Sequence, residues 1–460
     1  MDRRTAVSRV FATLPLAPWL PLSLQGGSAC PTVVIDPCTF ATASDPAAAA
    51  GDALTAAVKR LEATGGTVVL LPGRIKLKQT TRMFGATPVT AGLWIPSNTA
   101  IIGTGPATVL TSDATVGVLI ANSNFKDGNR NILLRDLVLE GNPKAGSPPG
   151  YFSMVTADQY RHHGILLVNT KYFRLENLSV TGVLGSGFYL ANLGTQYQPQ
   201  LPELYCGPSC GQVIACLASR CGSYGFWLNG SGTRDITITD CRAEQIGGGD
   251  LMPSSFSGGH AFLLDSNVLF CQLRACTVSE PPPPKPGHGI FLTGACSYNQ
   301  ITDCLIDGGL DGGVALGSGS RMNRVSNCHV QNVEGHSAYL VSAPESGQHP
   351  LGNQITNCSA DAFCDPVCLV THAQGTQIAN LMIGAVRRAS RLPMDDGSLV
   401  LRNAPDTVLS GITYLTPTQP EMAAPHAIST DSVSMRLTAQ QLSAINALPR
   451  EADKGVHIVP

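Results

Sequence analysis

Short apolar phrases recur through the middle of the chain, and each carries leucine in its fourth place. The phrases are GILLVN, GFYLAN, GFWLNG, AFLLDS, GIFLTG, GVALGS, SAYLVS and PVCLVT, with Leu167, Leu190, Leu228, Leu264, Leu292, Leu316, Leu340 and Leu369 in that place. A second column, in NLSV, ACLA, DCRA, ACTV, DCLI, NCHV and NCSA, aligns Leu178, Cys216, Cys241, Cys276, Cys304, Cys328 and Cys358. Two columns in phase predict one structural unit stacked on itself.

The repeat length and the alternation within each unit identify the fold. The step from Gly289 to Gly313 is 24 residues, and the step from Gly313 to Ser337 is 24 again. Within a unit the apolar stretches are short, alternate with period two and are separated by Gly, Asn, Asp and Ser, which is typical of strands and turns. Coils of short strands that stack at about 4.8 Å form a parallel β-helix. We therefore predict an all-β chain, a solenoid of roughly ten coils.

The pattern divides the chain in order. Residues 1–29 are predicted to be an export signal, because Arg3 and Arg4 precede an apolar stretch from Val10 to Leu24. The paired arginines are similar to a twin-arginine signal, and an ordinary secretory signal is the alternative. Residues 30–65 are predicted to hold an N-terminal cap with an amphipathic helix at Asp52 to Thr64. Residues 66–415 would form the β-helix, and residues 416–460 a capping tail with a helix at Thr438 to Leu448. We expect the mature protein to be periplasmic or secreted.

Composition agrees with this division and excludes some partners. The chain has 48 Gly and 32 Pro, and 13% of its residues are charged, as expected where every coil needs tight turns. A net charge of −2 and the absence of a basic tract argue against nucleic-acid binding. No segment after the signal reaches the roughly 20 apolar residues that span a membrane. Nothing in the pattern requires an oligomer.

The cysteine column predicts buried thiols. Fifteen cysteines in an exported chain would ordinarily predict disulfides. In the column, however, cysteine replaces leucine (Leu137 and Leu178 in earlier coils), which indicates an apolar site that holds the thiol as a small hydrophobe. Metal binding by the column is disfavoured, because CxxC and histidine partners are absent. Cys206 with Cys210, and Cys30 with Cys38, are disulfide candidates, and Cys30 is also a candidate for lipid attachment.

Two stretches near the N-terminus carry a family resemblance. The stretch DALTAAVKRLEATGGTVVLLPG and the downstream LWIPSNTAIIGTGPATVL resemble the pectate-lyase-like superfamily of right-handed β-helix proteins. The resemblance implies a right-handed coil with a helix that caps its first turn, over roughly residues 45–415. It says little about the reaction, because this scaffold hosts lyases, hydrolases, epimerases and phage tailspikes.

Alternation also predicts which residues face outward. If the second and fourth residues of each phrase face the core, the third faces out, which places Tyr189, Trp227, Phe291 and Tyr339 in one stripe. An exposed aromatic stripe suits sugar rings, and a secondary core under inserted loops is the alternative. Inserts at 194–211, 247–259, 281–287 and 343–353 are expected to form walls around this face.

Polar residues concentrate at the leading edge of the same strands. Equivalent places hold His163, Ser186, Tyr224, His260, His288, Gly312, His336 and Asp365, and the place before them holds His162 and Asp311. Histidine exchanges protons near neutral pH, and a carboxylate orients it. The predicted catalytic residues are His260, His288, Asp311, His336, Lys285, Asp265 and Asp250; Arg161, His162 and His163 join the aromatic stripe as predicted substrate-binding residues. A corner histidine that only binds turn carbonyls is the alternative.

Three reactions fit these residues. A lyase acting on a uronate polymer needs a base, here His260 or His288, and a cation such as Lys285 or Arg161 to neutralise the carboxylate. A hydrolase needs two carboxylic acids. The phrase PGHGI around His288 resembles the GHG motif of polygalacturonases, but the paired aspartates of that family are absent from the preceding coil, HAFLLD. An epimerase would use the lyase residues with a second proton donor.

We therefore predict a carbohydrate-active enzyme acting on an acidic polysaccharide, most simply by β-elimination. A polygalacturonase-like hydrolase, a uronate epimerase and a non-catalytic glycan-binding scaffold are the alternatives. No cofactor is required by these reactions, and Ca²⁺ would find ligands in Asp250, Asp265 and Asp311, although no spacing demands it.

Overall fold

The computed structural model describes most of the chain between residues 31 and 436. The described ranges are 31–84, 87–112, 117–142, 162–192, 207–247, 259–333, 337–361, 367–384, 399–414, 428–430 and 435–436. Within them only the backbone is described at 87, 281–286, 309–311, 399, 414, 428–430 and 435–436. The predicted signal 1–29 and the predicted helix Thr438 to Leu448 lie outside these ranges.

One α-helix, Pro46–Arg60, covers the first coil. Asp45 caps the N-terminus of this helix, because its carboxylate accepts from the Ala48 N–H at 3.0 Å, and Pro46 occupies the first turn. Leu54 and Val58 lie on its buried face. At Gly51 the helix approaches the coil so closely that a Cβ would lie 1.9 Å from the Lys76 carbonyl oxygen. The helix predicted at Asp52 to Thr64 overlaps this element. Two 3₁₀ turns lie at Pro37–Phe40 and Gly105–Ala107.

The strands form three parallel sheets that run along the solenoid, which we call A, B and C. Sheet A contains Thr87–Ile95, Val118–Asn122, Ile165–Val168, Phe188–Ala191, Phe226–Asn229, Phe262–Asp265, the second halves of Thr277–Leu292 and Leu305–Leu316, Tyr339–Ser342, Cys368–Thr371, Leu399–Arg402 and Ile428–Thr430. The strand Thr80–Phe84 pairs antiparallel with Thr87–Ile95 and forms a hairpin on the outside.

Sheets B and C complete each coil. Sheet B contains Thr32–Ile35, Gly66–Leu70, Thr99–Ile102, the first halves of Arg130–Glu140 and Lys171–Thr181, Ser209–Ile214, Arg234–Thr239, Gln272–Arg274, Gln300–Thr302, Arg324–Ser326, Gln354–Thr356, Gln377–Ala379, Thr407–Ser410 and Met435–Arg436. Sheet C contains Gly73–Lys76, Thr108–Thr111, the second halves of Arg130–Glu140 and Lys171–Thr181, Leu217–Ser219, Arg242–Glu244, the first halves of Thr277–Leu292 and Leu305–Leu316, His329–Gln331, Ser359–Asp361, Met382–Ile383 and Thr413–Tyr414. The all-β, parallel β-helix prediction is confirmed. Parallel pairing also occurs on both sides of the predicted range 66–415.

The leucine spine is confirmed up to Leu316 and is wrong beyond it. Leu167, Leu190, Leu228, Leu264, Leu292 and Leu316 are buried in one core. In the next coil, however, Leu316 pairs with Val341, and Val314 pairs with Tyr339. This slip of one residue turns Leu340 outward, and the spine continues through Val341 and Val370.

Tyr339 is consequently inside the solenoid, which corrects its predicted place in the outer stripe. It is fully buried, and its hydroxyl donates to the carbonyls of Cys328 and Ser359, both at 2.9 Å. These two carbonyls give the phenol inside the core the hydrogen bonds that its burial requires.

The cysteine column is confirmed as a ladder of buried thiols. Cys216, Cys241, Cys276, Cys304, Cys328 and Cys358 are each 1–2% exposed and stack coil upon coil. The thiols donate to carbonyls, as Cys328 Sγ does to Ser326 at 3.4 Å. The residue before each cysteine has a positive φ of 51–58°, which explains the Asn and Asp in NCHV and DCRA. Cys30 and Cys206 lie outside the described residues, so the two disulfide candidates stay predictions.

Within the part of the chain described here, no helix combines the length and apolar content needed to cross a bilayer.

Candidate functional site

Sheet A brings the predicted edge residues together. Pairing of Phe226 with Phe262, and of Phe262 with Ile290, places Tyr224, His260 and His288 in successive coils. Their rings stack in a column, with centroids 5.6 Å apart for Tyr224–His260 and again 5.6 Å apart for His260–His288. The two places below them, His163 and Ser186, and the next one above, Gly312, also follow the prediction.

The slip before Tyr339 changes the upper end of this column. The N–H of Gly313 donates to the carbonyl of Ser337, and the register places Ser337 opposite Gly312. Ser337 therefore holds the place in this coil that the prediction gave to His336. His336, Asp250 and Arg161 lie outside the described residues, and at Lys285 and Asp311 only the backbone is described. Their roles stay predictions.

The aromatic stripe is covered, as the secondary-core alternative proposed. Tyr189 and Trp227 stack at 4.0 Å and are 1% and 9% exposed. They belong to a second apolar cluster outside the solenoid, which also contains Trp94 and Phe125. Phe84 from the hairpin stacks on Phe125 at 4.1 Å and extends this cluster. The prediction of an exposed platform is therefore wrong for Tyr189 and Trp227.

Solvent reaches the outer face of sheet A further along the solenoid. The outward residues Ala121, Leu166, Val168, Tyr189 and Ala191 are all buried. In the second and third coils after that of Tyr189, the residues His260, Asp265, His288, Phe291 and Thr293 are each partly exposed. We call these five residues the opening. It brings together two predicted catalytic histidines, one predicted catalytic carboxylate and one predicted substrate-binding ring.

The hydrogen bond to His260 fixes which nitrogen carries its proton. Nδ1 of His260 accepts from the backbone N–H of His288 at 2.9 Å, so in the neutral ring Nε2 carries the proton and is a donor. Desolvation, aided by the charge of His288, lowers the pKa of His260 to about 3. His163 has the same arrangement, with Nδ1 accepting from the Ser186 N–H at 2.9 Å. The proposed role of His260 as a base is therefore wrong, because its accepting nitrogen is already occupied.

His288 occupies the next coil and depends on a glycine above it. A Cβ on Gly312 would lie 2.2 Å from His288 Nδ1, so a larger residue there would displace the imidazole. Both histidines contact Phe291, with ring centroids 4.8 Å away for His260 and 5.1 Å for His288. The three rings form one wall of the opening.

Tyr224 and Asp265 are two titratable residues with raised pKa values at opposite edges of this face. Tyr224 lies at the leading edge, and Asp265 ends the strand Phe262–Asp265 at the trailing edge. Burial raises the pKa of Tyr224 to about 12, and the negative charge of Asp265 adds to this. Desolvation likewise raises the pKa of Asp265, which Ser266 partly offsets. A protonated phenol and a desolvated carboxylate are a proton donor and a proton acceptor on opposite edges.

Tyr224 is the functional candidate that sequence reasoning missed. Its place in the edge column was visible between Ser186 and His260, but nothing in the sequence separates a tyrosine that supports a wall from one that transfers a proton. Asp265 is the only carboxylate among the described outward side chains of sheet A.

The described residues contain no cluster of three or more His, Cys, Asp or Glu that would hold a metal ion. The calcium expectation depended on Asp250 and Asp311 beside Asp265, and the side chains of those two are not described.

Comparison with known proteins relates the chain to solenoids of this type. The profile of a family described as "Right handed beta helix region" matches residues 254–379, which include the opening. A search of curated proteins found no matching sequence.

Three solved structures illustrate the likeness. The A-module of mannuronan C-5 epimerase AlgE6 from Azotobacter vinelandii is 15% identical, with 86% of this chain and 99% of that chain covered and a TM-score of 0.53. The tailspike protein of E. coli bacteriophage HK620, in complex with a hexasaccharide, is 11% identical over 89% and 74%, with a TM-score of 0.55. DFA-IIIase from Arthrobacter chlorophenolicus A6, in complex with GF2, is 11% identical over 88% and 93%, with a TM-score of 0.52. At these identities the likeness concerns the path of the backbone.

Proposed function

Because the chain is a right-handed parallel β-helix protein with one outer face opening to solvent beside a phenol and a carboxylate, we propose that it is a carbohydrate-active enzyme that cleaves an acidic polysaccharide by β-elimination. The observation that carries the proposal is the placement of a phenol, Tyr224, at the leading edge and a carboxylate, Asp265, at the trailing edge of successive strands of sheet A, where burial raises the pKa of both. The structural neighbours include a mannuronan epimerase and a tailspike bound to a hexasaccharide, so the scaffold accommodates such substrates. Export through the signal predicted at residues 1–29 would bring the enzyme to extracellular polymers.

The reaction assigns one step to each residue. Asp265 takes the proton from C5 of a uronate unit, and the C–H electron pair forms the C4–C5 double bond. The bond from C4 to the glycosidic oxygen breaks, and the Tyr224 hydroxyl protonates the departing oxygen. The Nε2–H of His260 donates to the uronate carboxylate, whose negative charge grows as the proton leaves. Proton exchange with water then returns Asp265 and Tyr224 to their starting states.

Desolvation favours this assignment over the histidine base. A carboxylate that has lost hydration holds a proton more tightly and is a stronger base. Hydrolysis would require a second carboxylic acid near the bond. Among the described side chains on this face, Asp265 has no such partner. The predicted cations Lys285 and Arg161 would add to the neutralisation of the uronate.

Epimerisation is the second candidate, because Tyr224 and Asp265 stand at opposite edges of the face. A proton removed by one group and returned by the other from the opposite side inverts C5 without cleavage. The two reactions share their first step and differ only in whether the glycosidic oxygen departs.

One assay separates these functions. The protein without residues 1–29 is incubated in D₂O with alginate, pectate, hyaluronan and other uronate polymers. The ultraviolet absorbance of the unsaturated product, reducing ends and deuterium at C5 are followed. Absorbance with reducing ends indicates a lyase, reducing ends alone a hydrolase, and deuterium without either an epimerase. If none of the three signals changes with any polymer, the proposal is overturned and a glycan-binding scaffold is the remaining interpretation.

Variants then test the residues. Asp265→Asn and Tyr224→Phe are each expected to lower kcat by about 10²–10⁴-fold, the usual contribution of a positioned acid or base. Asp235→Asn is the matched control, because Asp235 lies near the start of the sheet B strand Arg234–Thr239 with a φ of 55° that asparagine also adopts. Full activity in Asp265→Asn would remove the carboxylate from the mechanism.

A further inference from the structure

The indole N–H of Trp227 is a buried donor that no described residue accepts from. Trp227 is 9% exposed and lies one coil below Leu263 on the outer face of sheet A. Its ring stacks on Tyr189 at 4.0 Å and meets the ring of Tyr224 edge-on at 4.9 Å. An indole nitrogen can only donate, so the group requires an acceptor oxygen.

Other polar ring atoms in the same cluster have partners. Asn229 Nδ2 donates to the hydroxyl of Tyr189 at 3.1 Å, and the hydroxyl of Tyr224 is hydrogen-bonded to Ser223. The indole N–H of Trp94, in the same outer cluster, donates to Thr80 Oγ1 at 2.9 Å. Trp227 is the exception among these four rings.

The unpaired indole N–H of Trp227 destabilises the folded protein, whereas a phenylalanine at this position would not. A buried donor without a partner loses its hydrogen bonds to water and gains none in return. A phenyl ring would fill the place above Tyr189 without that cost, as Phe291 does two coils further along the same column. The indole is therefore explained by an acceptor that arrives with a ligand.

We propose that Trp227 is a specificity-determining residue whose Nε1–H donates to an acceptor oxygen, hydroxyl or carboxylate, of a uronate unit bound one coil below the opening. The proposal rests on the proposed function, because the edge contact with Tyr224 links the indole to the reacting pair. The unit that Trp227 holds is the neighbour of the unit from which Asp265 takes the proton, since the two side chains lie in successive coils.

Two matched variants test the role of the N–H. Trp227→Phe keeps an aromatic ring on Tyr189 and removes an N–H without a partner, whereas Trp94→Phe removes one that is already bonded to Thr80. Trp227→Phe is expected to raise KM about tenfold with little change in kcat, the effect of one lost hydrogen bond. Trp94→Phe is expected to leave KM unchanged. A KM for Trp227→Phe equal to that of the parent protein would overturn the proposal and leave the indole a structural role.

A direct measurement decides the question if Trp227→Phe does not fold. The Asp265→Asn protein, labelled with ¹⁵N, is titrated with tetrasaccharides of mannuronate, guluronate and galacturonate while the indole N–H signals are followed. The Trp227 signal is expected to move downfield and to exchange more slowly with water, and the Trp94 signal to stay in place. Saturation of other signals without a change at Trp227 would overturn the inference alone. No binding by any of the three would overturn the proposed function with it.

Discussion

Replacing Gly312 by alanine would test whether His288 must hold its present position. The added Cβ would lie 2.2 Å from Nδ1 and 2.7 Å from Cε1 of His288, whereas the nearest backbone atom, the Ser337 carbonyl oxygen, is 3.4 Å away. The backbone can therefore stay in place while the imidazole retreats by roughly 1 Å, a displacement that lowers the rate of a positioned reaction by about 10²-fold. The displaced ring would lose its stack on His260, whose Nε2–H donates to the uronate in the proposed reaction. We therefore expect Gly312→Ala to lose about 100-fold in kcat/KM with a melting temperature close to the parent value.

The assay is the formation of unsaturated product on the polymer identified by the panel, with circular dichroism and thermal unfolding as checks of the fold. Gly347→Ala is the control, because Gly347 lies in an exposed turn where the added Cβ would be 3.1 Å from the nearest atom, the Pro344 carbonyl oxygen. Parent-like kcat/KM in Gly312→Ala, with His288 displaced in its crystal structure, would show that the imidazole takes no part in the reaction.

Three further predictions follow from hydrogen bonds of the described residues. Burial lowers the pKa of His260 from the ordinary 6.5 to about 3, so the unfolded chain takes up this proton first and stability falls as pH drops from 6.5 towards 3. His260→Asn keeps an acceptor for the His288 N–H and should remove about 2 kcal/mol of the fall in the free energy of unfolding between pH 7 and pH 5. Urea unfolding at both pH values measures this, and a pH dependence equal to that of the parent protein would contradict the prediction. Tyr339→Phe should cost about 1–3 kcal/mol in thermal unfolding, because two core carbonyls lose their donor, with KM unaffected; a raised KM would return Tyr339 to the substrate face. Asn323→Leu removes the acceptor for the Asn299 N–H in a fully buried ladder and should cost about 2–5 kcal/mol, whereas a parent-like melting temperature would show that the ladder is dispensable.

The fold was predictable because repetition makes each position visible several times. The columns of leucine and cysteine each recur in at least six coils, so one irregular coil cannot hide them. The slip at SAYLVS could not be predicted in the same way. Alternation allows either of two apolar pairs to face the core, Ala338 with Leu340 or Tyr339 with Val341. The sequence alone does not choose between them. Two carbonyls in the core that accept from the tyrosine hydroxyl decide the register.

The site was predictable in its place and not in its chemistry. Edge residues follow from the same repetition, so His260 and His288 were expected one above the other. Whether an imidazole accepts or donates depends on which of its nitrogens meets a backbone N–H, and only the spacing of the coils settles that. Tyr189 and Trp227 are buried partly by an apolar cluster that includes Trp94, a residue of the outer hairpin. The sequence pattern did not reveal this hairpin.

The stacking that aligns the edge histidines also limits what they can do. His163 and His260 each give Nδ1 to the backbone N–H of the edge residue one coil further on, and both therefore present Nε2–H as a donor. A side chain can accept a proton from the substrate only if no backbone N–H of the next coil already donates to its accepting atom. Asp265 meets this condition at the trailing edge, because its hydrogen bonds come from Ser266 in its own turn. Donors thus line one edge of the opening and the acceptor lies at the other. A uronate would bind with its carboxylate towards the histidines and its C5 proton towards Asp265.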